Sequence, residues 1–292
     1  ERALAWHDGG GRQLLARAHA AALIRLGKYA EAESWLSADP EQHDHELPPA
    51  ALMAYRSFLM RLSDPTEGWK APHNTDAHLS RLASLVAGRR IAIIGNSASM
   101  MQIPQLDTAE VLIRLNAFKA VDRGLRRRSS MLPSICYMNS SQTMRLANEM
   151  GDRTENSREL LGQFDLVVLR GRHPTLQGDA FSHCSISPPI HDHGPVIGCQ
   201  AVFDVLVAGA RSVTLFGFDF NQSSLIGETP WEMCRKLGDQ GMLNQYLFLR
   251  QLWTAGLVRA DETGRRALAL GVEHYADRLE GLYGDWSLDG DR

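Results

Sequence analysis

Cysteine is scarce in this chain: there are four in 292 residues, and none is spaced C-x-x-C. Cys136, Cys184, Cys199 and Cys234 are therefore expected as reduced thiols of a cytoplasmic protein rather than as a disulfide scaffold. No stretch approaches the roughly 18 uninterrupted apolar residues that a membrane-spanning helix needs. No cleavable signal is visible either, since Glu1-Arg2-Ala3-Leu4 leads straight into polar residues. An excess of one charge is also missing. The formal net charge of −3 removes any global argument for nucleic acid as a partner. The content that remains, 44% hydrophobic and 22% charged, is the usual globular mix and excludes disorder as the main state. At roughly 150 residues per domain, this length suggests one large domain or two modest ones, with a core large enough to organise a deep cleft.

Residues 1–88 and 89–292 differ in pattern. The first part is rich in Ala, Leu and Arg at helical spacing and has almost no β-branched runs. Leu14, Ala18, Ala21, Ala22 and Leu26 mark one helical face, Gly27-Lys28-Tyr29 a tight turn, and Ala30, Ala32, Trp35 and Leu36 a second face. The pattern resembles one tetratricopeptide-type hairpin. A single copy cannot bury its own face, so it must pack on the second part or on further repeats. The spacing predicts two more helices at about 49–62 and 76–87. From Arg89 onward strands alternate with helices. Strands are expected at Arg90–Ile94, Val111–Leu115, Ile135–Met138, Leu166–Leu169, Val213–Phe216 and Leu257–Val258. Helices are expected at about 142–150, 157–163, 197–209 and 243–255. This alternation predicts an α/β, Rossmann-like, mostly parallel sheet covered on both faces. Ligands of such sheets sit outside the carboxyl ends of the strands, and chemistry is sought there.

The first strand runs into Gly95-Asn96-Ser97-Ala98-Ser99. A glycine followed by small hydroxyl residues lets backbone N–H groups approach a phosphate or ribose, although a plain structural turn explains the same residues. It is neither a G-x-G-x-x-G fingerprint nor a Walker loop. The second strand closes on Asn116 and the third on Asn139-Ser140. Each Asn amide could read a base edge or a ribose, or could instead cap the helix that follows. Pro195-Val196-Ile197-Gly198-Cys199-Gln200 opens a helix whose N-terminal N–H groups would favour an anion. The strand after it ends in Gly217-Phe218-Asp219-Phe220.

In order and spacing, Ile91–Ser99, Leu112–Asn116, Tyr137–Ser140, Pro195–Gly198 and Leu215–Phe220 resemble the bacterial sialyltransferase superfamily, of the Campylobacter lipooligosaccharide type. The Gly-Asn-Ser and Arg-x-Asn elements are also similar to the large sialylmotif of animal sialyltransferases, and the Pro-x-x-Gly helix to the small one. The resemblance covers about residues 89–270. It implies a metal-independent, inverting glycosyltransferase that uses no cofactor and takes a CMP-activated nonulosonic acid, sialic-acid-like or Kdo, as its donor. Gly95, Asn96, Ser97, Asn116, Asn139, Ser140, Gly198, Cys199 and Asp219 would then line the donor site. Asp219 has no second Asp two residues away, so no D-x-D pair for a divalent ion stands at this strand end.

The family's catalytic His has no counterpart in Leu237-Gly238-Asp239-Gln240-Gly241, and Asp239 falls nearest to its place. His191-Asp192-His193 offers His193 as a second candidate base, or a group for the sugar carboxylate. The lid over about 221–238 lacks the family's tyrosines and carries Arg235 and Lys236, which could hold the phosphate or simply be solvated. Ile197 stands where the family has a hydroxyl residue. His274-Tyr275 echoes the His-Tyr pair of animal sialyltransferases, and His43-Asp44-His45 reads as solvent-exposed. The basic run Arg123–Arg128 could attract an acidic acceptor or give peripheral contact with an anionic membrane surface, or could be a solvated loop. The expected acceptor is a glycan or protein, presented by the helical region. The alternative is a non-catalytic CMP-sugar or protein-binding module on the same fold. A nucleotide-dependent oxidoreductase is disfavoured because Asn116 occupies the place of the acidic ribose ligand.

Overall fold

Short apolar runs form the strands of the computed structural model: β1 (Arg90–Ile94), β2 (Val111–Leu115), β3 (Ser134–Met138), β4 (Leu166–Leu169), β5 (Phe181–His183), β6 (Ser212–Phe216) and β7 (Val258–Ala260). The structure describes residues 19–24, 26–37, 48–64, 76–95, 106, 108–116, 132–151, 162, 164–170, 173–189, 197–220 and 242–283. The seven strands form one sheet in the order β5-β4-β3-β2-β1-β6-β7, and every pair is parallel. The fold is α/β and Rossmann-like, as the alternation predicts. Six of the strands fall where they were expected. The seventh, β5, has only Phe181 as an apolar residue, too little pattern for a sequence to announce.

The helices are α1 (Tyr29–Ser37), α2 (Pro49–Ser63), α3 (Ala77–Val86), α4 (Ser140–Gly151), α5 (Ile197–Val207), α6 (Met242–Thr254), α7 (Glu262–Ala269) and α8 (Val272–Tyr283). The expected helix at 157–163 lies outside the described residues. Among those residues no helix is long and apolar enough to cross a membrane.

Period-two alternation sends Ile91, Ile93, Ile113, Tyr137 and Leu215 to one face of the sheet, and Ala92, Ile94, Leu112, Cys136 and Met138 to the other. Helix α5 lies on the first face against β1, β3 and β6, and α2 and α3 lie on α5 in turn. Being covered from both sides, α5 is buried along its whole length. That is why its sequence is apolar all round, with only Gln200 and Asp204 as strongly polar members.

The turn of the helical region forms where it was expected, but the face its first helix buries is Ala20, Ala21 and Ile24, with Ala22 and Leu26 exposed, and Leu14 and Ala18 lie outside the described residues. A helical stretch over 19–24 turns at Gly27, whose φ of 71° suits glycine, into α1. The region packs on the second part. Phe58 of α2 meets Phe203 of α5 at 5.3 Å between ring centroids and stacks on Phe248 of α6 at 5.8 Å. Arg61 donates to the carbonyl of Ala210, and Gln251 of α6 donates to the Ile24 carbonyl and the Tyr29 hydroxyl. One hydrophobic cluster therefore runs from Ala20 to Leu279, so the described residues of the helical region and the sheet share a core.

Connections from β1 to β5 step outward in one direction, whereas β6 returns to the other side of β1. The chain thus reverses its direction of travel between β1 and β6. In open parallel sheets this switch point is where a crevice forms at the carboxyl ends.

Candidate functional site

The register pairs Ile94 with Phe216, so Gly95 and Gly217 are neighbours just beyond the switch point. Their backbones touch. A Cβ at Gly95 would lie 2.6 Å from the Gly217 carbonyl oxygen and 3.1 Å from the Phe218 ring. The Gly95 N–H donates to the Phe216 carbonyl at 2.8 Å. The glycine is therefore required first by this interstrand approach, before any ligand is considered. Gly217 itself has φ 66°, and its N–H donates to Asp261 Oδ2 at 2.8 Å. The other oxygen of Asp261 accepts from Gly264 N–H at 2.8 Å, capping α7. One carboxylate thus holds both the turn after β6 and the start of α7.

Asn116 is buried and has φ 51°, a left-handed conformation that Asn tolerates better than most residues. Its Oδ1 accepts the Asn139 N–H at 3.0 Å, and Asn139 Oδ1 in turn accepts Gln142 N–H at 3.0 Å and the Ser141 hydroxyl at 2.9 Å. The two strand-end asparagines are linked, and Asn139 does cap α4. Their Nδ2 groups take no part in these bonds. Ser140 is exposed at the first position of α4. A Cβ at Gly198 would meet the Phe218 ring at 3.0 Å and Leu115 at 3.3 Å, which places the start of α5 between the carboxyl ends of β2 and β6. Asp219 is half-buried.

Two side chains among the sequence candidates have structural roles. Cys199 cannot offer its side chain to a ligand, because its buried thiol points at the Gln245 carbonyl, 3.9 Å away. Only its backbone is available. Tyr275 is buried. Its hydroxyl donates to the Phe220 carbonyl at 3.0 Å and its ring stacks on Tyr246 at 3.9 Å, whereas His274 is exposed. The role of Tyr275 is to hold Phe220, a bulky residue at φ 53°, where most side chains are strained. Tyr275→Phe should cost about 1 kcal/mol in urea unfolding through the lost hydrogen bond. An unchanged midpoint would deny the hydroxyl that role. Asn96, Ser97, His191, His193, Arg235, Lys236, Asp239, His43, His45 and the Arg123–Arg128 run lie outside the described residues.

Sequence reasoning missed a second polar group, beneath α5. His78 of α3 lies with Nδ1 2.8 Å from Ser182 Oγ and Nε2 3.0 Å from Asp204 Oδ2. The same Asp204 oxygen accepts the Tyr137 hydroxyl at 3.2 Å and lies 3.9 Å from the Cys184 sulfur. Asp204 Oδ1 accepts Gln200 Nε2 at 2.8 Å, and Gln200 also donates to the Ile186 carbonyl. His78, Ser182, Gln200 and Asp204 are all buried. The one available signal was Asp204 itself, a carboxylate in the middle of an apolar helix.

Burial, reinforced by the Asp204 charge, pushes the Tyr137 phenol and the Cys184 thiol well above their ordinary ranges, and burial alone raises Cys199. All three stay protonated in the fold. In the unfolded chain a thiol titrates near about 8.5 and a phenol near about 10. The folded state binds these protons more tightly, so the stability they contribute is complete below those values and is lost as pH rises from them toward the raised values of the fold. The denaturation midpoint is expected to fall from about pH 9 upward, and Cys199→Ala should make the fall shallower. A midpoint that stays level into strong alkali would contradict this.

The chain is a Rossmann-like α/β protein, and its candidate ligand site is the switch point between β1 and β6. No protein-family model, curated protein or solved structure matches it.

Proposed function

We propose that the chain transfers a CMP-activated nonulosonic acid, sialic-acid-like or Kdo, to an acceptor hydroxyl by metal-independent inverting displacement. The observation that carries this reading is the convergence on one crevice of Gly95, Asn116, Asn139, the Gly217–Asp219 turn and the start of α5. These are the described residues of the very segments in which the sequence resembles the bacterial sialyltransferases.

The arrangement suits a nucleoside monophosphate leaving group. The linked asparagines offer Nδ2 donors and the start of α5 offers N–H groups to an anion. The acceptor oxygen attacks the anomeric carbon while the bond from that carbon to the phosphate oxygen breaks, and its electron pair leaves with CMP. Donors on the phosphate stabilise the leaving charge. The acceptor proton passes to a general base, for which Asp239 and His193 are the candidates. Arg235 and Lys236 would complete the phosphate site from the lid. The helical region would carry the glycan or protein acceptor. Because it shares the core, its contribution is best tested by Leu26→Ser and Met60→Ser, which alter exposed positions only.

The direct test is release of CMP from CMP-sialic acid and CMP-Kdo by the full chain, with chelator present and with candidate acceptors. Release that Asn116→Ala abolishes supports the reading. Tight CMP binding with no release under any acceptor would instead make the chain a non-catalytic binding module.

A further inference from the structure

His78 comes from α3, Cys184 from just beyond β5, and Asp204 from the middle of α5. Three elements distant in sequence bring an imidazole, a thiol and a carboxylate together, with all their ligand atoms within 4.8 Å of one another. We infer that His78 Nε2, Cys184 Sγ and Asp204 Oδ2 form a tetrahedral site for a single zinc-class divalent cation.

Edge lengths support this. Bonds of roughly 2.0–2.3 Å to a tetrahedral zinc put its ligands about 3.3–3.8 Å apart. Asp204 Oδ2 is 3.0 Å from His78 Nε2 and 3.9 Å from Cys184 Sγ, so two edges already bracket that range. The third edge, from His78 Nε2 to Cys184 Sγ, is within 4.8 Å. The Tyr137 hydroxyl, 3.2 Å from the same oxygen, or a water fills the fourth position.

Charge supports it as well. A thiolate, a carboxylate and a neutral imidazole sum to −2 and neutralise a divalent ion, which a buried site requires. Binding releases the Cys184 proton to solvent as the sulfur–metal bond forms. With the metal on Nε2, the ring proton moves to Nδ1 and donates to Ser182 Oγ, already at 2.8 Å. Gln200 fixes the remaining carboxylate oxygen at 2.8 Å. Both nitrogen and carboxylate ligands thus have the outer partner that metal ligands regularly keep. Cys184 is only partly buried. Such a metal would clasp α3, and with it the helical region, to β5 and α5.

Titration of the purified full chain with Co²⁺ alone, a spectroscopic stand-in for zinc, tests this on the unmodified protein. The expected result is one equivalent bound, with a thiolate-to-cobalt charge-transfer band and the intense visible bands of tetrahedral cobalt. Zinc should displace it stoichiometrically. Cys184→Ser should abolish the charge-transfer band. Ser182→Ala, which keeps all three ligands, should weaken cobalt binding by roughly 10-fold or more. A cobalt spectrum without thiolate character, or one that survives in Cys184→Ser, overturns the site. The readout uses no nucleotide and is unaffected by the fate of the glycosyltransferase proposal.

Discussion

Asp204→Ala should lower the unfolding free energy by about 3–5 kcal/mol, since it removes the acceptor at the centre of a buried polar group. Four neighbours are directed at its carboxylate: His78, Tyr137, Gln200 and Cys184. His78, Tyr137 and Gln200 cannot turn to water, because they are buried with Asp204, itself 1% exposed, beside a helix covered on both sides. Truncation also leaves a cavity between α5 and β3. Asp204→Asn keeps the volume and one acceptor oxygen, so it should cost less than half as much. Urea denaturation of the two variants beside the parent measures both. A loss under about 1 kcal/mol for the alanine would show that the group contributes little beyond its desolvation cost.

Gly95→Ala is the second. Its new methyl would meet a backbone carbonyl at 2.6 Å, and neither partner is the free end of a side chain. The strands β1 and β6 must therefore separate at the switch point. Overpacking of this kind costs about 1–3 kcal/mol. The displaced turn contains Gly217 and Asp219 and is tied through Asp261 to α7, so the disturbance spreads along the crevice rim. On the proposed function, CMP binding in Gly95→Ala should fall by at least 10-fold while the chain remains folded below its lowered midpoint. Retention of full CMP affinity would mean that the crevice between β1 and β6 is not where the nucleotide sits.

The sheet was legible because buried parallel strands declare themselves as short branched runs, such as Arg90–Ile94 and Leu166–Leu169. Edge strand β5 was not, since a three-residue strand held by pairing to β4 needs little hydrophobicity of its own. The asparagines at the ends of β2 and β3 were legible as a pair, but their direct link was not. It depends on the left-handed turn at Asn116, which no residue pattern near it dictates. Gly95 has a structural reason that its sequence context does not show, since its small size serves the Gly217 carbonyl. The group around Asp204 joins positions 78, 137, 182, 184, 200 and 204, and only the topology brings these together. Tyr275 shows the same limit. Beside His274 it reads as chemistry, whereas its contacts make it a support for Phe220.

The central claim is that the crevice at the switch point takes a cytidine monophosphate group. Calorimetric titration of the full chain with CMP, CDP, UDP and NAD, each with and without EDTA, tests it most directly. The account predicts preferential binding of CMP, unaffected by chelator and lost in Asn116→Ala. Any metal at His78, Cys184 and Asp204 would alter the starting stability in EDTA, so the heat of CMP binding is the quantity to compare. A preference for UDP that requires a divalent ion, or for NAD, would contradict the account.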